Sequence, residues 1–212
     1  MDKVSARIPG PAYRVCTRRL VLRCWEPTDA APLKAAIEAS LEHLRPWMPW
    51  AEDEPQDLQS KVDLLRQWRG KFDLGQDFVY GVFSSDGREV LGSSGLHTRV
   101  GEGAREIGYW IHAHHINQGL ATEVAAALTR VAFEIDAVLR VEIHCDPRNV
   151  RSAAVPRKLG FVHEATLRQR TVDPEGQRRD MMVWTLLDQE YSASPASAAQ
   201  IQAFDALGRR IL

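Results

Sequence analysis

Two stretches of this 212-residue sequence hold side chains at spacings from which chemistry can be built. The first, EIGYWIHAHHINQGLATEVAAALTRVAF, spans residues 106–133. A strand-like alternation ends at Ile111, a polar loop follows, and Gly119 stands just before a strong helical pattern. The first turn of a helix leaves backbone N–H groups without intrahelical acceptors, and its peptide dipoles favour negative charge. Gly119 has no Cβ to hold a phosphate away, so the segment is a candidate anion seat made of backbone. The second stretch, RVEIHCDPRNVRSAAVPRKLGF, spans residues 140–161. Asp146-Pro147 stops a strand there, and Asn149 and Ser152 stand before or on the helix that follows. Arg148, Arg151, Arg157 and Lys158 gather positive charge that can meet further phosphate oxygens. Two other phosphate motifs are excluded. No GxxxxGK[ST] occurs, and Gly101, Gly103 and Gly108 precede a strand instead of joining a strand to a helix.

The elements that must position these residues follow from periodicity. A strand is predicted over Leu20–Trp25, then a helix from Asp29 through Leu41. LRPWMPW, from Leu44 to Trp50, reads as a compact aromatic loop, and a second helix runs from about Pro55 to Phe72. Three antiparallel strands are predicted at Phe78–Ser84, Glu89–His97 and Arg105–Ile111, turned at Asp86-Gly87 and at Gly101-Glu102-Gly103. A helix over Gln118–Ile135, a strand at Arg140–Cys145, a helix at Ser152–Leu159 and strands at Phe161–Leu167 and Met181–Leu187 complete the pattern. The expectation is one α+β domain around a mixed sheet, over residues 18–188. Residues 1–17, with Pro9, Gly10 and Pro11, read as a loose lead-in, and residues 189–212 as a tail or short helix.

Hydrophobic residues make up 44% of the chain, enough for a core, and 27 basic against 28 acidic side chains leave a formal charge of -1. Such a chain has no general field for a nucleic acid. With no secretory signal and no apolar run long enough to span a bilayer, a cytoplasmic protein is expected. Cys16, Cys24 and Cys145 form neither a disulfide framework nor a zinc framework. His112, His114 and His115 crowd one loop without a carboxylate to complete a metal site, so no metal is expected. Surface contact or transient proton acceptance is the simpler reading for them and for His97 and His144 on strands.

The pieces RRLVLRCW, LRPWMPW, EIGYWI with QGLATE, and RVEIHCDPRNVRSAAVPRKLGF occur in one order from about Arg18 to Leu187. Together they resemble the GCN5-related N-acetyltransferase superfamily, and within it the RimJ/RimL-like branch. That resemblance implies a mixed, mainly antiparallel sheet flanked by helices, with acetyl-CoA as acyl donor. The superfamily's Gln/Arg-x-x-Gly-x-Gly/Ala pattern falls on Ile116, Gly119 and Ala121, departing at Ile116, and Asn117 stands where a glycine is common. By resemblance, backbone N–H groups of Asn117, Gln118, Gly119, Leu120, Ala121 and Thr122 cradle the CoA pyrophosphate. Pantetheine lies along Tyr109, Trp110 and Ile111, where the strand parts from its neighbour at a bulge. Asn149 and Arg151 are further cofactor contacts.

The implied reaction is direct attack by a primary amine in a ternary complex. The acceptor is expected to be a protein N-terminal α-amine; a small-molecule amine such as an antibiotic or amino-acid derivative is the alternative. A non-catalytic CoA-binding module is a third reading, and the protein is expected to be a monomer or homodimer, free of membrane and nucleic acid. Glu106 shares a strand face with Gly108 and Trp110, where it can accept the amine proton or attract the ammonium ion. Ser152, within NVRS, is assigned to the departing thiolate, because Pro156 stands where related enzymes carry a tyrosine; helix capping is its bland alternative. Cys145 reads as a small buried side chain and Trp68 as core. Trp47 and Trp50 are expected to border the acceptor groove, with Glu42 as a further contact that spacing does not separate from Glu38.

Overall fold

A computed structural model describes residues 11–173 and 176–212. Most of these residues are organised by a nine-stranded sheet: β1 (Arg14–Cys16), β2 (Leu20–Cys24), β3 (Phe78–Ser84), β4 (Val90–His97), β5 (Ala104–Ile111), β6 (Arg140–Cys145), β7 (Val162–Val172), β8 (Arg178–Leu187) and β9 (Gln202–Phe204). Their order across the sheet is β7-β8-β6-β5-β4-β3-β2-β1-β9. All neighbours are antiparallel except β5 and β6.

Both faces of the central strands are covered, so β3 and β4 are buried along nearly their whole length, β3 as an apolar run and β4 with glycine and serine at its centre. Alternate residues of β3 divide between two cores: Phe78, Tyr80 and Val82 join one, Val79 and Phe83 the other. On the first face lies the helix α4 (Leu120–Glu134), whose Val124, Leu128 and Val131 are fully buried against Leu22, Ile107 and Val141. Each such side chain contributes about 1.5–3 kcal/mol relative to exposure, so α4 is fixed to the sheet by its apolar stripe. On the second face α1 (Ala30–Glu38) and α3 (Leu58–Asp73) pack on each other and on β4 and β3, burying Trp25, Leu33, Ile37 and Leu65. Among the described residues no helix is long and apolar enough to cross a membrane.

The lead-in departs from expectation, and the tail holds the expected short helix and more. Residues 1–10, with Pro9 and Gly10, lie outside the described residues, but Arg14–Cys16 is a strand paired with β2. The tail forms a short helix, α6 (Asp188–Tyr191), a 3-10 turn at Pro195–Ala198, and then β9, which pairs with β1. Strands of three residues carry too little alternation to be recognised in sequence; these two are held by each other and by fully buried Ala12, Val15 and Ala203. The body therefore extends beyond 18–188 at both ends. The aromatic segment is also more regular than expected: α2 (Leu41–Leu44) leads into a 3-10 turn at Pro49–Asp53. At the far edge β7 is exposed along much of its eleven residues, and its register with β8 slips between Leu167 and Thr171, where Gln169 has a φ of 54°.

Candidate active site

β5 and β6 run parallel but pair only through Ala104–Arg140, Arg105–Val141 and Glu106–Glu142. Beyond Glu106, β5 follows β4, in unbroken register from His97–Glu106 to Gly92–Ile111. β6 follows β8 instead, through Cys145–Met182. The expected bulge is absent from β5, since each strand simply keeps its outer neighbour and the pair opens between them. Two cavities flank this opening, one of about 330 Å³ and one of about 770 Å³. Trp47, Met48, Tyr109, Trp110, Asn149 and Ser152 border both.

The smaller cavity is walled by Tyr109, Trp110 and Ile111 of β5, by Asn117, Gly119, Leu120, Ala121 and Thr122 at the start of α4, and by Asn149, Arg151 and Ser152. Gly119 caps α4 with a φ of 78°, and no side chain occupies the capping position. Asn117 is also left-handed, at 61°. The first intrahelical bond runs from the Glu123 N–H to the Gly119 carbonyl, which leaves the N–H groups of Leu120, Ala121 and Thr122 for a ligand. That uncapped turn beside a cavity fits an anion such as a pyrophosphate. Gln118 does not join the wall. Its carbonyl turns the other way and accepts from Arg19 Nη1 at 2.9 Å, while Arg19 Nε donates to Glu123 at 2.6 Å. Thr17 donates to the same carboxylate, so the turn before β2 clasps the start of α4.

At the start of α5 (Val150–Lys158), Asn149 Oδ1 accepts from the Ser152 N–H at 3.0 Å. Asn149 is thus the cap, and the Ser152 hydroxyl is released from that duty. It lies 3.2 Å from the Tyr109 hydroxyl, which also reaches the Ser152 carbonyl. Burial pushes the Tyr109 phenol well above its ordinary range, outweighing the bond to Ser152, so the phenol remains a proton donor. Burial likewise raises the Cys145 thiol, which keeps it from acting as a thiolate nucleophile. Arg151 is exposed at the rim.

The larger cavity is framed by Trp47, Trp50, Trp68 and Trp110, with Trp50 and Trp110 ring centroids 6.3 Å apart. Its floor holds a buried ion pair, Lys61 with Glu54, at side-chain exposures of 1% and 3%. This pair ties the segment after the aromatic turn to α3. Glu106 lies in the wall, buried, and both carboxylate oxygens accept from Arg99, Oε2 from Nε at 2.7 Å and Oε1 from Nη2 at 2.5 Å. Burial alone would raise this carboxyl, but the Arg99 fork outweighs it and holds Glu106 below its usual range. Glu106 is therefore a fixed negative charge and a weak base. Glu42 sits on the exposed side of α2 and lines neither cavity, because Leu44 takes the buried side; the acidic residues of this region that do face the cleft are Asp53 and Glu54.

Several contacts around the two cavities join residues far apart in sequence. Arg19 reaches Gln118, Tyr109 reaches Ser152, and His97 Nδ1 lies 3.0 Å from Asp77 Oδ1. The strand register is the only sequence-level signal for the His97 position: β4 and β5, once aligned, place it opposite Glu106.

The sequence model of the acetyltransferase (GNAT) domain matches residues 19–162. The chain is 29% identical over 174 residues to YdaF of Bacillus subtilis (strain 168), covering 81% of this chain and 93% of that one. It is 25% identical over 187 residues to the ribosomal protein uS5-alanine N-acetyltransferase of Escherichia coli (strain K12), covering 86% and 94%. Among solved structures, Mycobacterium smegmatis RimJ in complex with CoA-disulfide superimposes with a TM-score of 0.75 at 25% identity, over 89% of this chain and 94% of that one.

Proposed function

The chain belongs to the GNAT acetyltransferase family, and from that premise we propose that it transfers an acetyl group from acetyl-CoA to a primary amine, with a protein N-terminal α-amine as acceptor. The observation that carries this reading is the meeting of two cavities at Tyr109 and Ser152, one walled by an uncapped helix start and the other by aromatic and charged side chains. Bound acetyl-CoA supplies an activated acyl thioester. Gly119 through Thr122 hold its pyrophosphate with backbone N–H groups, and the opened edge of β5 from Tyr109 to Ile111 lies along its arm. Ser152, with the protonated Tyr109 phenol behind it, donates toward the departing sulfur. Holding both reactants at one junction supplies much of the rate acceleration.

The acceptor side favours a cation. Asp53, Glu54, Asp77 and Glu106 face the cleft against Lys61 and Arg99, while Asp146 beside them is held by Arg148 and Arg179; the remaining acidic excess draws in an ammonium group before it loses its proton. Glu106 serves this attraction better than it serves proton removal, since Arg99 occupies both its oxygens. An α-amine, with a pKa near 8, is partly neutral in the cell, whereas a lysine amine near 10.4 is not. The size of the cleft and the named relative that acts on ribosomal protein uS5 support a polypeptide acceptor. The four tryptophans favour a second reading, a flat small-molecule amine. Calorimetry with acetyl-CoA, followed by intact-mass analysis of a free-N-terminus peptide beside turnover of an aromatic amine, tests both. A folded sample that binds no acetyl-CoA overturns the reading. Rapid amine turnover with no peptide mass shift reverses the choice of acceptor.

A further inference from the structure

One face of the β4–β5 pair forms part of the cleft floor, and its residues stand in cross-strand pairs: Ser93 with Trp110, Gly95 with Gly108, and His97 with Glu106. The middle pair has no side chains, and the His97 ring fills part of that space. A Cβ on Gly95 would lie 2.6 Å from His97 Nε2, and one on Gly108 would lie 3.4 Å from it. The imidazole therefore lies down over the two glycines toward the centre of the floor. Its Nδ1 sits 3.0 and 3.1 Å from the two oxygens of Asp77, which ends the turn between α3 and β3. A carboxylate accepts, so Nδ1 carries the proton and Nε2 presents its lone pair to the cleft. Burial would raise the Asp77 carboxyl, but its hydrogen bond to His97, with the charge of Arg99 beyond, holds it below its usual range and keeps it the acceptor.

The other titratable groups around this ring are committed. Glu106 on β5 gives both oxygens to Arg99, the residue two past His97. His144 on β6 is held through Nε2 by Glu142 at 2.7 Å, with Nδ1 3.9 Å from Glu106. His97 Nε2 has no hydrogen-bond partner among the described residues. A carboxylate that fixes one imidazole nitrogen and leaves the other facing a reactant cavity is a general-base arrangement.

We propose that His97 is the catalytic residue that takes the proton from the acceptor amine, with Asp77 as the residue that positions it. The inference rests on the acetyltransferase reading above. The amine nitrogen forms a bond to the thioester carbonyl carbon and the carbon–sulfur bond breaks. The proton of that nitrogen passes to His97 Nε2, and the sulfur receives one from the Ser152–Tyr109 side. The ammonium proton of the incoming amine passes to water before attack; afterwards His97 returns its proton to water, and water restores to the Ser152–Tyr109 side the proton that the sulfur took.

The test uses the full chain, acetyl-CoA, and two acceptors, a decapeptide beginning with a free alanine amine and phenethylamine. His97→Gln should lower kcat about 100-fold while leaving calorimetric acetyl-CoA affinity within about twofold. It should also remove the acidic limb of the kcat/KM pH profile, and free imidazole should restore part of the rate to His97→Ala. Asp77→Asn should cost about tenfold and displace that limb. Nitrogen-15 correlation spectra of the wild type should show His97 with its proton on Nδ1, and that signal should change in Asp77→Asn. Wild-type kcat and pH profile in a His97→Gln protein that binds acetyl-CoA would overturn the inference alone, and the same limb lost in Glu106→Gln would return the role to that carboxylate. Failure of the wild type to bind acetyl-CoA or to acetylate either amine would overturn the acetyltransferase reading and the inference with it.

Discussion

The two cavities meet at one line of residues but are built from different materials. The smaller has a seat of main chain at one end: an uncapped helix start and two left-handed residues, beside an unpaired strand edge. The larger is made of side chains drawn from α1, the aromatic turn, α3, β4, β5 and β6. A main-chain seat should tolerate changes of side chain, such as the departure at Ile116, but not a change of backbone conformation. A side-chain cleft behaves in the opposite way: its strands can stay fixed while its chemistry is rewritten.

That contrast orders the expected effects. The largest belongs to Lys61, whose removal leaves Glu54 charged and buried under the cleft. Lys61→Ala should cost about 3–5 kcal/mol of stability by urea unfolding. Lys34→Ala, which breaks the more exposed Lys34–Glu38 pair on α1, should stay within about 1 kcal/mol. Equal losses would mean that the cleft floor is not held by its ion pair. Next comes Gly119→Val. No neighbour blocks the added Cβ, since Arg19 Nη2 lies 3.8 Å from it, but a φ of 78° is costly for a β-branched residue. At about 1–3 kcal/mol of strain, acetyl-CoA binding should weaken roughly tenfold with the circular dichroism retained. Undiminished calorimetric affinity would show that the seat lies elsewhere.

Ser152→Ala sits on the shared wall and should separate the two functions. With Asn149 still capping α5, acetyl-CoA affinity should hold, while kcat falls about tenfold through the lost bond to a charged sulfur. An unchanged kcat under chemistry-limited conditions would leave the serine as packing. The smallest effect is expected from Arg151→Ala at the exposed rim, a two- to threefold loss of acetyl-CoA affinity that disappears in high salt. A large, salt-sensitive loss there, beside a small one at Gly119, would move the pyrophosphate from backbone to side chains.

The same contrast explains what could be read from the chain. The strands at Phe78–Ser84 and Arg140–Cys145 match their periodicity residue for residue, and the loop before α4 stood out because glycine and polar residues interrupt two strong patterns. Such signals are local. The Ser152–Tyr109 contact spans 43 positions and the Asp77–His97 contact 20, and neither has a spacing that sequence could fix. Glu106 was visible as a carboxylate on the right strand face, but its partner Arg99 lies across a turn, and that partner changes a base into a fixed charge. Glu42 lies outside both cavities, and a four-residue helix offers too little pattern to say from sequence which side faces inward.

The two margins of the sheet carry a consequence for self-association. A strand at a margin offers unpaired N–H and carbonyl groups to any passing chain. At one margin β9 offers only three residues, and the chain folds back over them: Ile211 and Leu212 donate to the Ala203 carbonyl, and the Ala203 N–H donates to that of Leu212. At the other, β7 offers eleven, long enough to template a foreign strand. Its defence is of another kind. Glu164, Arg168 and Arg170 place charge along it, and the slip in pairing between Leu167 and Thr171 bends its rhythm. A straight strand laid against β7 would lose step with it at that bend, so the most exposed margin of the molecule carries its own obstacle to extending the sheet into a second chain.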